Sequence, residues 1–175
     1  MVRLLRRSPR SKRLTSLWNS NDGVLNMRED QGSVDPHQQT VYQWEDDWPA
    51  WNLNHVSLTV CRKAIRTACK WYGVKPPSVG QHSGRAFAYS WPEKNRISMQ
   101  GGEHAKSGGK NIATALHEAA HHIAYTLHGE RIQDHGRTWL GIYLDLLERA
   151  AIAPREALHA SARKHGLKWR SSPNS

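Results

Sequence analysis

Cysteine is scarce in this chain: two in 175 residues. That argues against a disulfide-stapled fold and against a metal site built from Cys-x-x-Cys pairs. Cys61 and Cys69 fall on one expected helix. Eight residues there span about 12 Å of axis, beyond disulfide reach, so two buried, reduced thiols are expected. No apolar run is long enough to span a bilayer, and the N-terminal stretch lacks the apolar core of a signal peptide. The expectation is a cytoplasmic chain without a membrane partner. No internal repeat is visible. The Gly-rich KSGGK at 106–110 lacks the glycine spacing and the closing Lys-Ser/Thr pair of a phosphate loop, and reads as a connection.

Acid is missing where base is concentrated. Residues 1–13 carry Arg3, Arg6, Arg7, Arg10, Lys12 and Arg13 without one carboxylate, so of the formal +10 only +4 belongs to the rest. A pI near 10 suggests affinity for polyanions, nucleic acid first, although a solvated arm has the same composition. Residues 1–35 lack periodicity and read as a basic flexible arm, residues 36–168 as one domain, and residues 169–175 as a polar tail.

Within the domain, Val41 to Trp51 sets three tryptophans among three acids, which predicts a short helix docked by its rings with the acids facing water. From Ser57 to Tyr72, Val60, Ala64, Ile65, Ala68, Cys69 and Tyr72 form a stripe at helical spacing, closed by Gly73. Pro76-Pro77 is a break. Residues 84–100 read as a hairpin, GRAFAYS and RISMQ alternating around the turn residues WPEKN. A helix from Asn111 to Leu127 follows, with Ile112, Leu116, Ala119, Ala120, Ile123 and Leu127 as its buried surface. Another runs from Arg137 to Ala150 on Trp139, Ile142, Tyr143, Leu146 and Leu147, and Pro154 opens a last helix that Gly166 closes.

The chemistry is concentrated in His117-Glu118-Ala119-Ala120-His121 and His135-Gly136-Arg137-Thr138-Trp139. Residues four apart on a helix lie one turn above each other on nearly the same face, so His117 and His121 can share one Zn²⁺, with Glu118 beside them to accept a proton from water. The third ligand follows from reach. His128 is about 10 Å too far along the axis if the helix continues. Ala124 stands where astacin-like enzymes break the helix with glycine, and His122 points about 100° away. The seven residues after His128 can span about 23 Å and bring His135 back to the metal. Gly136 would free the backbone to enter the next helix. Glu148 or Asp145 remain alternatives, in the manner of thermolysin-like enzymes with a carboxylate ligand. Three neutral imidazoles would leave the ion its full charge and one open position, as a hydrolytic centre needs. The sequence names no residue to stabilise an oxyanion; Tyr125, Arg137 and Tyr143 are only nearby polar groups.

This order of parts resembles the SprT-like (Spartan-like) zinc metallopeptidases: a helix, a hairpin ending in RISMQ, HEAAHH on a helix, and HGRTW opening another. The likeness covers roughly residues 55–150. QQTVYQWE (38–45) with this core is also similar to a group of small metallohydrolases of actinobacteria and their phages. The resemblance implies an α+β, zincin-like fold, with the His-Glu-x-x-His helix and supporting helices packed on a small antiparallel or mixed sheet. It implies His117, His121 and His135 as zinc ligands, Glu118 as catalytic acid/base, and RISMQ as the edge strand along which a peptide lies. Many SprT-like proteins add a cysteine zinc ribbon after this domain, and this chain has no cysteine beyond Cys69. The expectation is a zinc-dependent metallopeptidase that takes protein or peptide substrates, without ribbon contacts to DNA but with a basic arm compatible with DNA-associated protein substrates. The competing expectations are a zinc hydrolase of a non-peptide amide and a nucleic-acid-binding module with structural zinc.

Overall fold

A computed structural model describes residues 37–47, 55–83, 88–101 and 110–171. The basic arm, the tryptophans at 48 and 51, the start of the expected hairpin and most of the 101–110 connection lie outside these residues.

Among the described residues, five α-helices and three strands follow one another as α1 (Gln38–Asp47), α2 (Leu58–Trp71), β1 (Ser78–His82), β2 (Ala88–Trp91), β3 (Arg96–Gln100), α3 (Ile112–His128), α4 (Arg137–Arg149) and α5 (Arg155–Lys164). The architecture is α+β with a mixed sheet. Local chemistry sets the helix ends. Ser57 caps α2 by accepting from the Val60 amide, and Asn111 caps α3 by accepting from the Thr114 amide at 2.8 Å. Gly129 ends α3 at φ 79°, and Gly166 follows α5 at φ 73°, both in the left-handed region that glycine adopts freely.

The sheet runs in the order β1-β3-β2, with β1 parallel and β2 antiparallel to β3. RISMQ is therefore the central strand and not the edge. Both its flanks are occupied, Val79 and Ser90 lying opposite Ile97. The edges belong to β1 and β2. Strand β1 has little apolar alternation in SVGQH, and its pairing with β3 is what makes it a strand. Between β2 and β3, Pro92–Lys94 form a single 3₁₀ turn, and Asn95 takes the left-handed conformation at φ 49°.

Helix α3 is the centre of the molecule, packing against α2, α4, β2 and β3. Its small residues Ala113, Ala115, Ala119, Ala120 and Ala124 allow that closeness on several sides and are all buried. Leu116 and Ile123 meet the core shared with Ile65, Cys69, Ile97, Met99, Leu140 and Leu144; each such aliphatic side chain contributes about 1.5–3 kcal/mol by leaving water. Two expected core residues are outside it. Leu127 is 42% exposed because the last turn of α3 runs beyond its partners, and Val60 is 39% exposed on the first turn of α2. Past α5, Trp169 stacks near His159 and Arg163, and the Arg170 amide donates to the Arg137 carbonyl. The chain thus stays on α4 as far as Arg170. Its approach is so close that a Cβ on Gly141 would meet the Arg170 carbonyl oxygen at 1.9 Å. Among the described residues no helix is long and apolar enough to cross a membrane.

Candidate metal centre

His117 and His121 stand one turn apart on α3, as their spacing requires. His135 joins them from the loop between α3 and α4. After Gly129 the chain doubles back, and His135 itself adopts φ 54°, a conformation few non-glycine residues hold. Gly136, expected to supply that freedom, has an ordinary φ of −71°. Its lack of a side chain matters for another reason: a Cβ would come within 3.0 Å of Gln133.

The three rings converge through Nε2. His117 Nε2 lies 3.3 Å from His121 Nε2 and 3.2 Å from His135 Nε2, and the three residues form a group that can hold a metal ion. Ligand nitrogens about 2.0–2.1 Å from a tetrahedral ion stand about 3.3–3.4 Å from one another. The two spacings from His117 Nε2 therefore match those around one cation, and the third pair lies within 4.8 Å. The tautomers fit too: Nδ1 of His117 donates to Glu45 Oε1 at 2.6 Å, which leaves its Nε2 lone pair facing the other rings. Lone pairs so close repel unless a positive charge sits between them. Nδ1 of His121 faces Asp134 Oδ1 at 3.4 Å.

Aromatic rings enclose the cluster. The Trp139 ring lies 4.9, 5.0 and 4.7 Å from the His117, His121 and His135 rings, and Tyr143 backs both Trp139 and His117. From α1, Tyr42 stacks on His117 and meets His135 edge-on.

Burial and charge set the protonation states. Burial pulls the His117 imidazole down, but the Glu45 carboxylate and its hydrogen bond, aided by Glu118, raise it overall. His135 is pushed down to about 2, by burial first and then by the neighbouring His121 and His117 rings, so its imidazole is neutral. Glu118 is buried, and desolvation raises its carboxyl against the pull of His117 and His121. Asp134 is lowered by its hydrogen bond with His121. Tyr42 is raised by burial and by Glu45, Glu118 and Asp134, so its phenol stays protonated.

The alternative third ligands are occupied elsewhere. Asp145 accepts from the Tyr72 hydroxyl at 2.7 Å and pairs with Arg149 at 2.8 Å; Glu148 faces Arg155 at 3.7 Å. Both line a cavity of about 30 Å³ with His159 and Trp169. His122 bonds the Lys75 carbonyl on another side of α3, and His128 is exposed at its end. Of the oxyanion candidates, Tyr143 is sealed behind the rings, and Arg137 lines an open cleft of about 400 Å³ with Arg131, Gln133 and Gly136.

Three contributors were not anticipated: Glu45, Tyr42 and Asp134. The expectation that the acids of α1 face water holds for Asp46 and Asp47 but fails for Glu45. Trp44 is fully buried and its Nε1 donates to Ser161 Oγ, which turns the next residue toward His117. Asp134 could have been noticed as the acid directly before His135. Compared with known proteins, the chain matches no family model, no curated protein and no solved structure.

Proposed function

We propose that this chain is a zinc-dependent metallopeptidase of the SprT-like kind, with His117, His121 and His135 as ligands and Glu118 as the acid/base. The observation that carries the reading is the convergence of three imidazole nitrogens, two of them 3.2–3.3 Å from the third, beside a buried carboxylate on the same helix as two of the rings. Three neutral nitrogen donors suit zinc and leave room for a non-protein ligand. When bound, the ion would supply Lewis acidity, polarising a peptide carbonyl and acidifying water.

The protein's own groups do the rest. Glu118, raised by burial, is suited to take a proton from water at neutral pH and return it to the departing amine. Tyr42 offers a protonated phenol beside the triad, a donor for negative charge developing on the carbonyl oxygen. Trp139 and Tyr143 exclude water from behind the rings and so strengthen electrostatic interactions at the centre. The basic arm extends the proposal to proteins bound on nucleic acid.

The test is metal analysis together with casein or self-cleavage. Wild type should carry about one equivalent of zinc per chain and lose cleavage on chelation, and Glu118→Gln should keep the metal while cleavage falls by about 10²–10⁴-fold. Full activity in that variant removes Glu118 from the reaction. Stoichiometric zinc without cleavage by wild type would favour a structural site.

A further inference from the structure

We propose that Glu45 is a positioning residue of the metal centre: it orients His117 through Nδ1, making α1 a working part of the site. The inference rests on the metal reading above. The contact is a 2.6 Å charge-assisted hydrogen bond between side chains only 9% and 12% exposed. It acts on the ring that matters most, because His117 Nε2 is the atom within 3.3 Å of both other ligand nitrogens. A rotation of that ring would disturb both spacings at once.

Docking of α1 turns Glu45 inward, since it stands one turn after Val41 on the face that Val41 and Trp44 bury, but does not by itself give the carboxylate a partner. Val41 and Trp44 are fully buried and anchor the helix, Trp44 with its bond to Ser161 and its edge-on contact with Tyr143. Taking a carboxylate out of water as well is unfavourable unless it gains a partner. Its neighbours Asp46 and Asp47 stay exposed. Only Glu45 is drawn inward, to the imidazole nitrogen that points away from the metal position. A carboxylate there holds the tautomer whose Nε2 is free to coordinate and makes that nitrogen a stronger donor. By reciprocity, an ion bound at Nε2 strengthens the grip of His117 on Glu45, and so on α1.

The test uses the full chain and Zn²⁺ or Co²⁺ in competition with a chromophoric chelator. Glu45→Gln and Glu45→Ala should bind about 10–100-fold more weakly than wild type, with a changed Co²⁺ visible spectrum, while Asp46→Asn stays within about twofold because only a screened, more distant charge is lost. Zn²⁺ should slow hydrogen exchange of the α1 amides in wild type more than in Glu45→Gln. Glu45→Gln keeps the side-chain shape, so it carries the test should Glu45→Ala fail to fold. Wild-type affinity and an unchanged Co²⁺ spectrum in Glu45→Gln would overturn the proposal and leave the metal site standing. Failure of wild type to bind either ion would sink the metal reading itself.

Discussion

Replacing His135 separates two roles that meet in one residue: the proposed metal ligand, and the holder of a left-handed backbone at φ 54°. With zinc at 100 times its Kd, binding to the native state alone adds about 2.7 kcal/mol of stability. At about 3–4 °C per kcal/mol for a domain of this size, the melting temperature rises by about 8–11 °C. Loss of one of three nitrogen ligands should weaken binding at least about 100-fold; the same zinc then adds no more than about 0.4 kcal/mol, or about 1 °C. Both His135→Ala and His135→Gly should show this collapse. The two should differ without metal. A left-handed conformation costs an L-residue about 1–2 kcal/mol that glycine is spared, so the glycine variant should be the more stable of the pair by about 1 kcal/mol, the reverse of their usual order in ordered backbone. The assay is thermal and urea unfolding of wild type and both variants, with chelator and with zinc. A full zinc response in either variant would refute His135 as a ligand. An alanine variant at least as stable as the glycine one would refute the strained backbone.

Gly141→Ala should destabilise by about 1–3 kcal/mol in urea unfolding, because its Cβ would overlap the Arg170 carbonyl oxygen at 1.9 Å. The ordinary helix-interior result, a gain of up to about 1 kcal/mol, would mean that Trp169–Arg170 do not lie on α4. His165 is raised by its hydrogen bond with Asp47, then by the Ser161 carbonyl. A base raised on folding stabilises below its unfolded value of about 6.5 and loses that contribution as pH climbs through the folded value. Asp47→Asn should therefore lower stability at about pH 5.5 and match wild type in alkaline solution, with the His165 ring titrating at lower pH by NMR; a deficit independent of pH would contradict the pairing.

Much of the scaffold is written in short-range pattern. The stripe from Cys61 to Cys69, the cap at Asn111 and the stops at Gly129 and Gly166 act within a turn or two, so α2, α3 and α5 could be placed from spacing alone. His117 and His121 were readable for the same reason. His135 was accessible by a chain-length argument, because few residues separate it from α3. Other features were not legible. SVGQH becomes a strand only by pairing with β3, and that pairing moves RISMQ from the edge to the centre. Glu45 reaches His117 across 72 residues; its place one turn after Val41 sets it on the inner face, but nothing local names its partner.

By itself the sequence determined α2 to α5, most of their ends, and a pair of imidazoles four residues apart with a carboxylate beside them, because periodicity and capping depend on neighbours along the chain. Tertiary structure alone decided which strand is central, which group Glu45 meets, and how the Trp139, Tyr143 and Tyr42 rings enclose the three histidines. Those choices depend on packing between segments distant in sequence, where burying one group is favourable only once its partner has arrived.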